Sequence, residues 1–219
     1  MCTSKDKEWI SLLGKIENHI SHLLWNRYLF REFLGIIEAN PALQLNNPLV
    51  VWVWENYLFN AALGVRRLVD RDRRSISLLL LLEDMVERPE ILSRKRYTAL
   101  FADSGFADDT GYINACFDSL VGEGKDHLDR RDIEHDIHRL LKIAAVLIRY
   151  VNKMVAHIDK ASIRRLPTIS DLDGSIDCLA EITRKYYAIL HAGSIELLPV
   201  AQMPWKKIFD IPWISPRIK

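Results

Sequence analysis

Ile133, Ile137, Leu140, Ala144, Leu147, Val151, Met154 and Ile158 follow one another at alternating spacings of four and three. That stripe fits one side of a long helix and no strand, whose side chains change face at every residue. A helix that is apolar on one side must bury that side against partners, and the rest of the chain predicts them. Trp9, Leu12, Leu13, Ile16, Ile20, Leu23 and Leu24 recur at three and four within a first helix over about residues 7–39, stopped by Asn40-Pro41. A second helix starts at Asn47-Pro48, with Pro at an allowed first-turn position, and ends near Asp70. A third, with Ser75 as its N-cap, reaches Val86. A short helix over 93–102 and another over 112–120 follow, the second ended by Gly122 and Gly124. The long helix covers about 128–160, and a last one, capped by Ser170 or Asp171, ends at Ala192-Gly193. No segment sustains the period-two alternation of a strand, so the fold class is all-α: an antiparallel bundle of long helices.

Residues 1–198 are read as a single helical domain. Residues 199–219 hold four prolines, Pro199, Pro204, Pro212 and Pro216, and two Pro-Trp pairs, and are read as an extended tail. With 49% of its 219 residues apolar, the chain supplies a sizeable core without disulfides or metal. A formal net charge of +1 gives no global attraction to nucleic acid or membrane, so any nucleic-acid site has to be a local basic patch. Cys2, Cys116 and Cys178 are odd in number, lack metal-ligand spacing and point to a reducing compartment. Charges interrupt the first residues before any apolar block, so no signal peptide is expected. The most apolar window, from Pro48 to Val65, carries Glu55, Asn56 and Asn60. It is read as the buried centre of a bundle rather than a membrane span. The expectation is a cytoplasmic protein.

At about 100° per residue, Arg149, Lys153 and His157 fall opposite the apolar stripe. His135, Arg139, Lys142 and Lys160 project into the same sector. One reading of this face is the solvated side of a bundle helix. The other is an electropositive strip that meets RNA phosphates or a second subunit, with Lys and Arg contacting phosphate and His moving protons near neutral pH.

The segment Tyr150-Val151-Asn152-Lys153-Met154-Val155-Ala156-His157 resembles the signature of HEPN domains, which often reads Arg-Asn-Lys, two variable residues, then Ala-His. The earlier stretch NAALGVRRLVDRDRRSISLLLLLEDM is similar to the AbiU-type abortive-infection branch, in which an Arg-Arg-Leu and Asp segment precedes a Ser-Leu-rich helix. The resemblance spans about residues 25–191. It implies a helical bundle, usually dimeric, that cleaves RNA without metal or cofactor in toxin–antitoxin, abortive-infection or CRISPR systems. An antitoxin or another defence protein would be a partner. It also implies that Asn152, Lys153, Ala156 and His157 match the motif. The position of the family's Arg holds Val151, which lies in the core stripe, so Arg149 or Lys153 would have to stand in for it.

Arg66, Arg67, Asp70, Arg71, Asp72, Arg73 and Arg74 crowd the end of the second helix. Cations there complement the helix dipole, and Arg66 pairs with Asp70 at i,i+4. Alternatively, Arg66 or Arg67 reaches across the bundle to His157, replaces the missing family Arg and contacts RNA. His127, Asp132, Glu134, His135 and His138 form the one cluster with metal-ligand character, the basis of a third reading as a metal-dependent bundle enzyme. A second reading keeps the HEPN fold without catalysis, as a module that binds RNA or protein. Trp52, Trp54, Tyr57 and Phe59 are expected in the core, and Trp205 and Trp213 on this bundle or on a twin subunit.

Overall fold

The periodic segments do become helices. The computed structural model describes residues 4–41, 43, 47–155, 165–200 and 204–211. Seven α-helices lie among them: α1 (Ser4–Glu38), α2 (Pro48–Leu68), α3 (Leu78–Glu87), α4 (Arg94–Ala99), α5 (Thr110–Val121), α6 (Arg130–Tyr150) and α7 (Ile169–His191). Among the described residues there is no strand, only an isolated bridge between Ser93 and His127.

Residue pairs across the helices give the topology. Along the α6–α7 seam, Asp136 meets Lys185, Arg139 meets Glu181 and Ile143 lies beside Gly174, so one numbering falls as the other rises. Leu23 beside Gly64 and Phe30 beside Tyr57 set α1 antiparallel to α2. Asp6 lies near the end of α7 through Arg96, and Arg27 pairs with Asp177 near its start, so α1 is also antiparallel to α7. α6 packs against α2, α3 and α7 at once, which makes it the central helix. Its stripe residues Ile133, Leu140, Ala144 and Leu147 are fully buried.

The caps explain where the helices begin. Asn47 accepts the backbone N–H of Leu49 ahead of Pro48, as its sequence predicts. For α3 the cap is Ser77, two residues beyond the expected Ser75. Its hydroxyl accepts from Leu80 N–H and donates to Leu68 O at 2.9 Å, tying the end of α2 to the start of α3. For α7 it is Thr168, not Ser170 or Asp171. Asp171 instead completes a capping box by accepting the Thr168 N–H at 2.9 Å. The Thr168 N–H is the chief reason the Asp171 carboxyl sits below its ordinary value of 3.8, against a smaller opposing push from burial. Because the folded state favours the carboxylate, this support for α7 is present above that value and lost as the pH falls through the lowered one.

Two further expectations need correction. α2 is not the buried centre of the bundle: Trp52 is 60% exposed and Leu49, Val51 and Phe59 are also exposed. Only Val50, Tyr57, Ala61, Ala62, Val65 and Leu68 are covered, so the helix is buried along one stripe despite apolar residues all round. The tail, expected as an extended arm, carries a 3₁₀ segment (Trp205–Asp210). That segment lies on this chain's own bundle, with Lys206 ion-paired to Glu32 and Trp205 edge-on to Tyr28. Trp213 lies outside the described residues.

Candidate functional site

The long helix does not continue as α-helix through the motif. α6 ends at Tyr150, and Val151–Val155 form a π-helical turn. A π turn bonds residues five apart instead of four, and single π turns inside helices are frequent at functional sites. It changes the rotation per residue, so the arithmetic that put Arg149, Lys153 and His157 in one sector is valid only up to Val151. Val151 itself is 4% exposed, in the core as its stripe position requires. The next residue, Asn152, is exposed, Lys153 is half-buried, and Arg149 is exposed in the last turn of α6. His157 and Lys160 lie outside the described residues.

A cation from α2 reaches this turn. Arg66 Nε donates to Asn152 Oδ1 at 3.1 Å, while Arg66 Nη1 pairs with Asp70 at 3.1 Å. The last turn of α2 lies against the π turn, so the bond joins two elements that already pack. Burial pushes the Asp70 carboxyl up, but the Asp72 N–H and Arg66 outweigh it, and the group sits below its ordinary 3.8. Asp70 is therefore ionised throughout the neutral range and fixes one edge of the guanidinium while Asn152 fixes another. A cation presented this way is pre-oriented towards whatever sits over the motif.

Arg67 does not join it. It lines a groove between α1 and α2 together with Arg74. The two neighbouring arginines thus serve different faces of α2. Arg139 is engaged by Glu181 at 3.0 Å on the α7 side, whereas Lys142 and His135 are exposed. The basic strip is therefore partly neutralised at its N-terminal end.

The metal-type cluster is not assembled. His127 Nδ1 lies 2.8 Å from Leu128 O, Asp132 pairs with Lys125 at 2.8 Å, and His135 and His138 are exposed. Asp136, between them in sequence, turns inward to Lys185 at 2.6 Å and accepts from Tyr186 Oη at 3.2 Å. Burial, then the Asp136 charge, pushes that phenol well above its ordinary value, so Tyr186 stays a hydrogen-bond donor. Among the described residues no three His, Cys, Asp or Glu side chains come together as a metal site.

The α1–α2 groove is the feature the sequence reading missed. It has a volume of about 860 Å³, and its lining includes His19, His22, Asn56, Asn60, Trp52 and Trp205. At its floor a Cβ on Gly64 would stand 2.6 Å from Leu23 Cδ2, so the absence of a side chain there lets the helices approach. Tyr57 stacks on Phe30 at 4.0 Å, and burial is the main cause lifting its phenol to about 12. The signal was present: Trp52, Asn56 and Asn60 stand at i,i+4 intervals on one face, an aromatic followed by an amide ladder in a helix otherwise read as core.

No curated protein and no solved structure matches the chain. The family model HEPN_AbiU2, described as AbiU2, matches residues 6–207, from the first turn of α1 to the 3₁₀ segment after Pro204. Nearly the whole described bundle is thereby covered, and the chain belongs to the AbiU2 family of HEPN domains.

Proposed function

We propose that this HEPN protein cleaves RNA without metal in a bacterial abortive-infection or toxin-type defence system. The observation that carries the reading is the Arg66–Asn152 hydrogen bond, which sets a guanidinium beside the motif whose own Arg position is filled by Val151. In the reaction the 2′-oxygen of one nucleotide bonds to the adjacent phosphorus and the bond to the 5′-oxygen of the next nucleotide breaks. The 2′-hydroxyl proton is taken up and a proton is delivered to the departing 5′-oxygen, leaving a 2′,3′-cyclic phosphate and a 5′-hydroxyl. His157 handles these protons, a role worth about 10² to 10⁴ in rate. Arg66 stabilises charge on the phosphate oxygens, and Arg149 and Lys153 add to the positive field. Asn152 orients Arg66.

The working unit is a homodimer in the cytoplasm, with an antitoxin or another defence protein as partner. The uncovered apolar side chains of Leu49, Val51 and Phe59 leave surface for such contacts. Among the described residues no helix is long and apolar enough to cross a membrane.

The burial of Val151 favours one rival, a HEPN module that holds RNA without cutting it. Incubating the purified protein with RNA in excess chelator separates the two. Cleavage is expected to persist in chelator, to yield 2′,3′-cyclic phosphate ends, and to stop at a position carrying a 2′-deoxy sugar. RNA binding without cleavage would select the rival, and cleavage abolished by chelator would refute both.

A further inference from the structure

The groove between α1 and α2 has an apolar wall of aliphatic and aromatic side chains, Leu23, Leu29, Val53 and Leu68 among them, into which imidazoles, amides and two arginines converge; among the described residues no carboxylate lines it. Its two ends differ. Because α1 and α2 are antiparallel, His19 and His22 share one end with Arg67 and Arg74, while Phe33 and Trp52 share the other. From Trp52 to Arg67 the helix rises about 22 Å. Asn56 and Asn60 lie between. Each donates its amide N–H back to a carbonyl of its own helix, Trp52 O and Asn56 O, at 2.8 Å, which leaves a side-chain oxygen as acceptor for a ligand's amino group. Trp205 closes the groove from the tail, and Trp52 is exposed into it.

We propose that this groove is a nucleotide-binding site, separate from the Arg66–Asn152 site, which takes a planar base carrying phosphate. Trp52 and Trp205 supply the stacking faces, the Asn56 and Asn60 oxygens accept from exocyclic amino groups, and Arg67 with Arg74 holds phosphate. Arg74 is already paired with Asp72 at 2.6 Å, so Arg67, which makes no ion pair among the described residues, is the principal contact. An amphipathic protein helix laid on the apolar wall would leave Asn56, Asn60, Arg67 and Arg74 without a use, whereas a planar base carrying phosphate engages both the wall and these polar groups. Two sources share the chemistry: a free nucleotide and an unpaired stretch of RNA. The length of the groove fits several residues of a strand. The assignment goes beyond the cleavage reading and does not rest on it.

Titration calorimetry of the full chain with adenosine 5′-monophosphate, which has no internucleotide bond to cut, tests the site independently of catalysis. A ribo-tetramer, adenosine and inorganic phosphate serve as comparisons. The tetramer is expected to bind most tightly and the monophosphate more tightly than adenosine or phosphate alone. Equal affinity of monophosphate and tetramer would assign the site to a free nucleotide. Trp52→Ala is expected to weaken the tetramer about tenfold or more. Arg67→Ala is expected to lower the slope of log K against log salt by about 0.7 and to leave adenosine unchanged. Both side chains are exposed, so unchanged circular dichroism spectra are expected. No binding of either phosphate-bearing ligand, or binding indifferent to both substitutions, would overturn the proposal. So would inorganic phosphate competing as well as the monophosphate.

Discussion

Arg66→Ala is expected to slow RNA cleavage by about 10²- to 10³-fold in single-turnover assays, the loss typical of removing one fixed donor to a charge-developing oxygen. The site explains why so much depends on one side chain. Val151 is buried and apolar where the family motif carries Arg, so the guanidinium has to come from elsewhere. Arg66 is held from two directions, by Asp70 and by Asn152, each at 3.1 Å. Arg66→Lys is expected to recover only part of the rate, because an ammonium cannot reproduce the planar fork. Asn152→Ala should cost less, and its effect should vanish when Arg66 is already Ala, since the amide acts through the guanidinium. Fold stability should change little in these variants, because the Arg66–Asp70 pair is partly solvated.

Arg96→Ala is expected to be the most destabilising single change, by about 3–5 kcal/mol, the cost of breaking a buried ion pair from one side. Arg96 donates from Nε to Asp6 at 2.7 Å and from its two Nη atoms to Ile189 O at 3.0 Å and Leu190 O at 2.7 Å. It thus joins the first turn of α1 to the last turn of α7 and meets the negative end of the α7 dipole. Asp6 is 1% exposed, so the truncation leaves a carboxylate in the core without its guanidinium. At about 2–4 °C per kcal/mol for a chain of this size, the melting temperature should fall by roughly 6–20 °C. Asp6→Asn added to Arg96→Ala should restore part of that loss, because the neutral amide removes the buried charge. A fall of less than about 2 °C in the single variant would show that the pair is solvated and the α1–α7 junction is held by packing alone.

How much of this was legible in the sequence depended on distance along the chain. The 3.6-residue periodicity marks every long helix, and Asn47-Pro48 marks the start of α2, because these signals are local. For α7, Thr168, Ser170 and Asp171 all suit the cap position by composition. What decided it was the reciprocal bond between Thr168 and Asp171, which needs the backbone conformation at Thr168. The π turn carries no composition signal in Val151–Val155, so the register beyond Val151 was invisible. The exposure of Trp52 depends on which neighbours α2 lacks, a tertiary fact. The sequence offers Arg66 or Arg67 as reaching His157, which lies outside the described residues. What is visible is that Arg66, not Arg67, meets the π turn at Asn152, because the two lie about 100° apart on α2.

In the proposed reaction an imidazole at the end of the motif works with the Arg66 guanidinium to cut RNA. The most direct measurement is the single-turnover cleavage rate of a short RNA in excess chelator by wild-type protein and by His157→Ala, at matched folding judged by circular dichroism. A fall of at least about 10²-fold is expected in the variant. An unchanged rate with His157→Ala would contradict it.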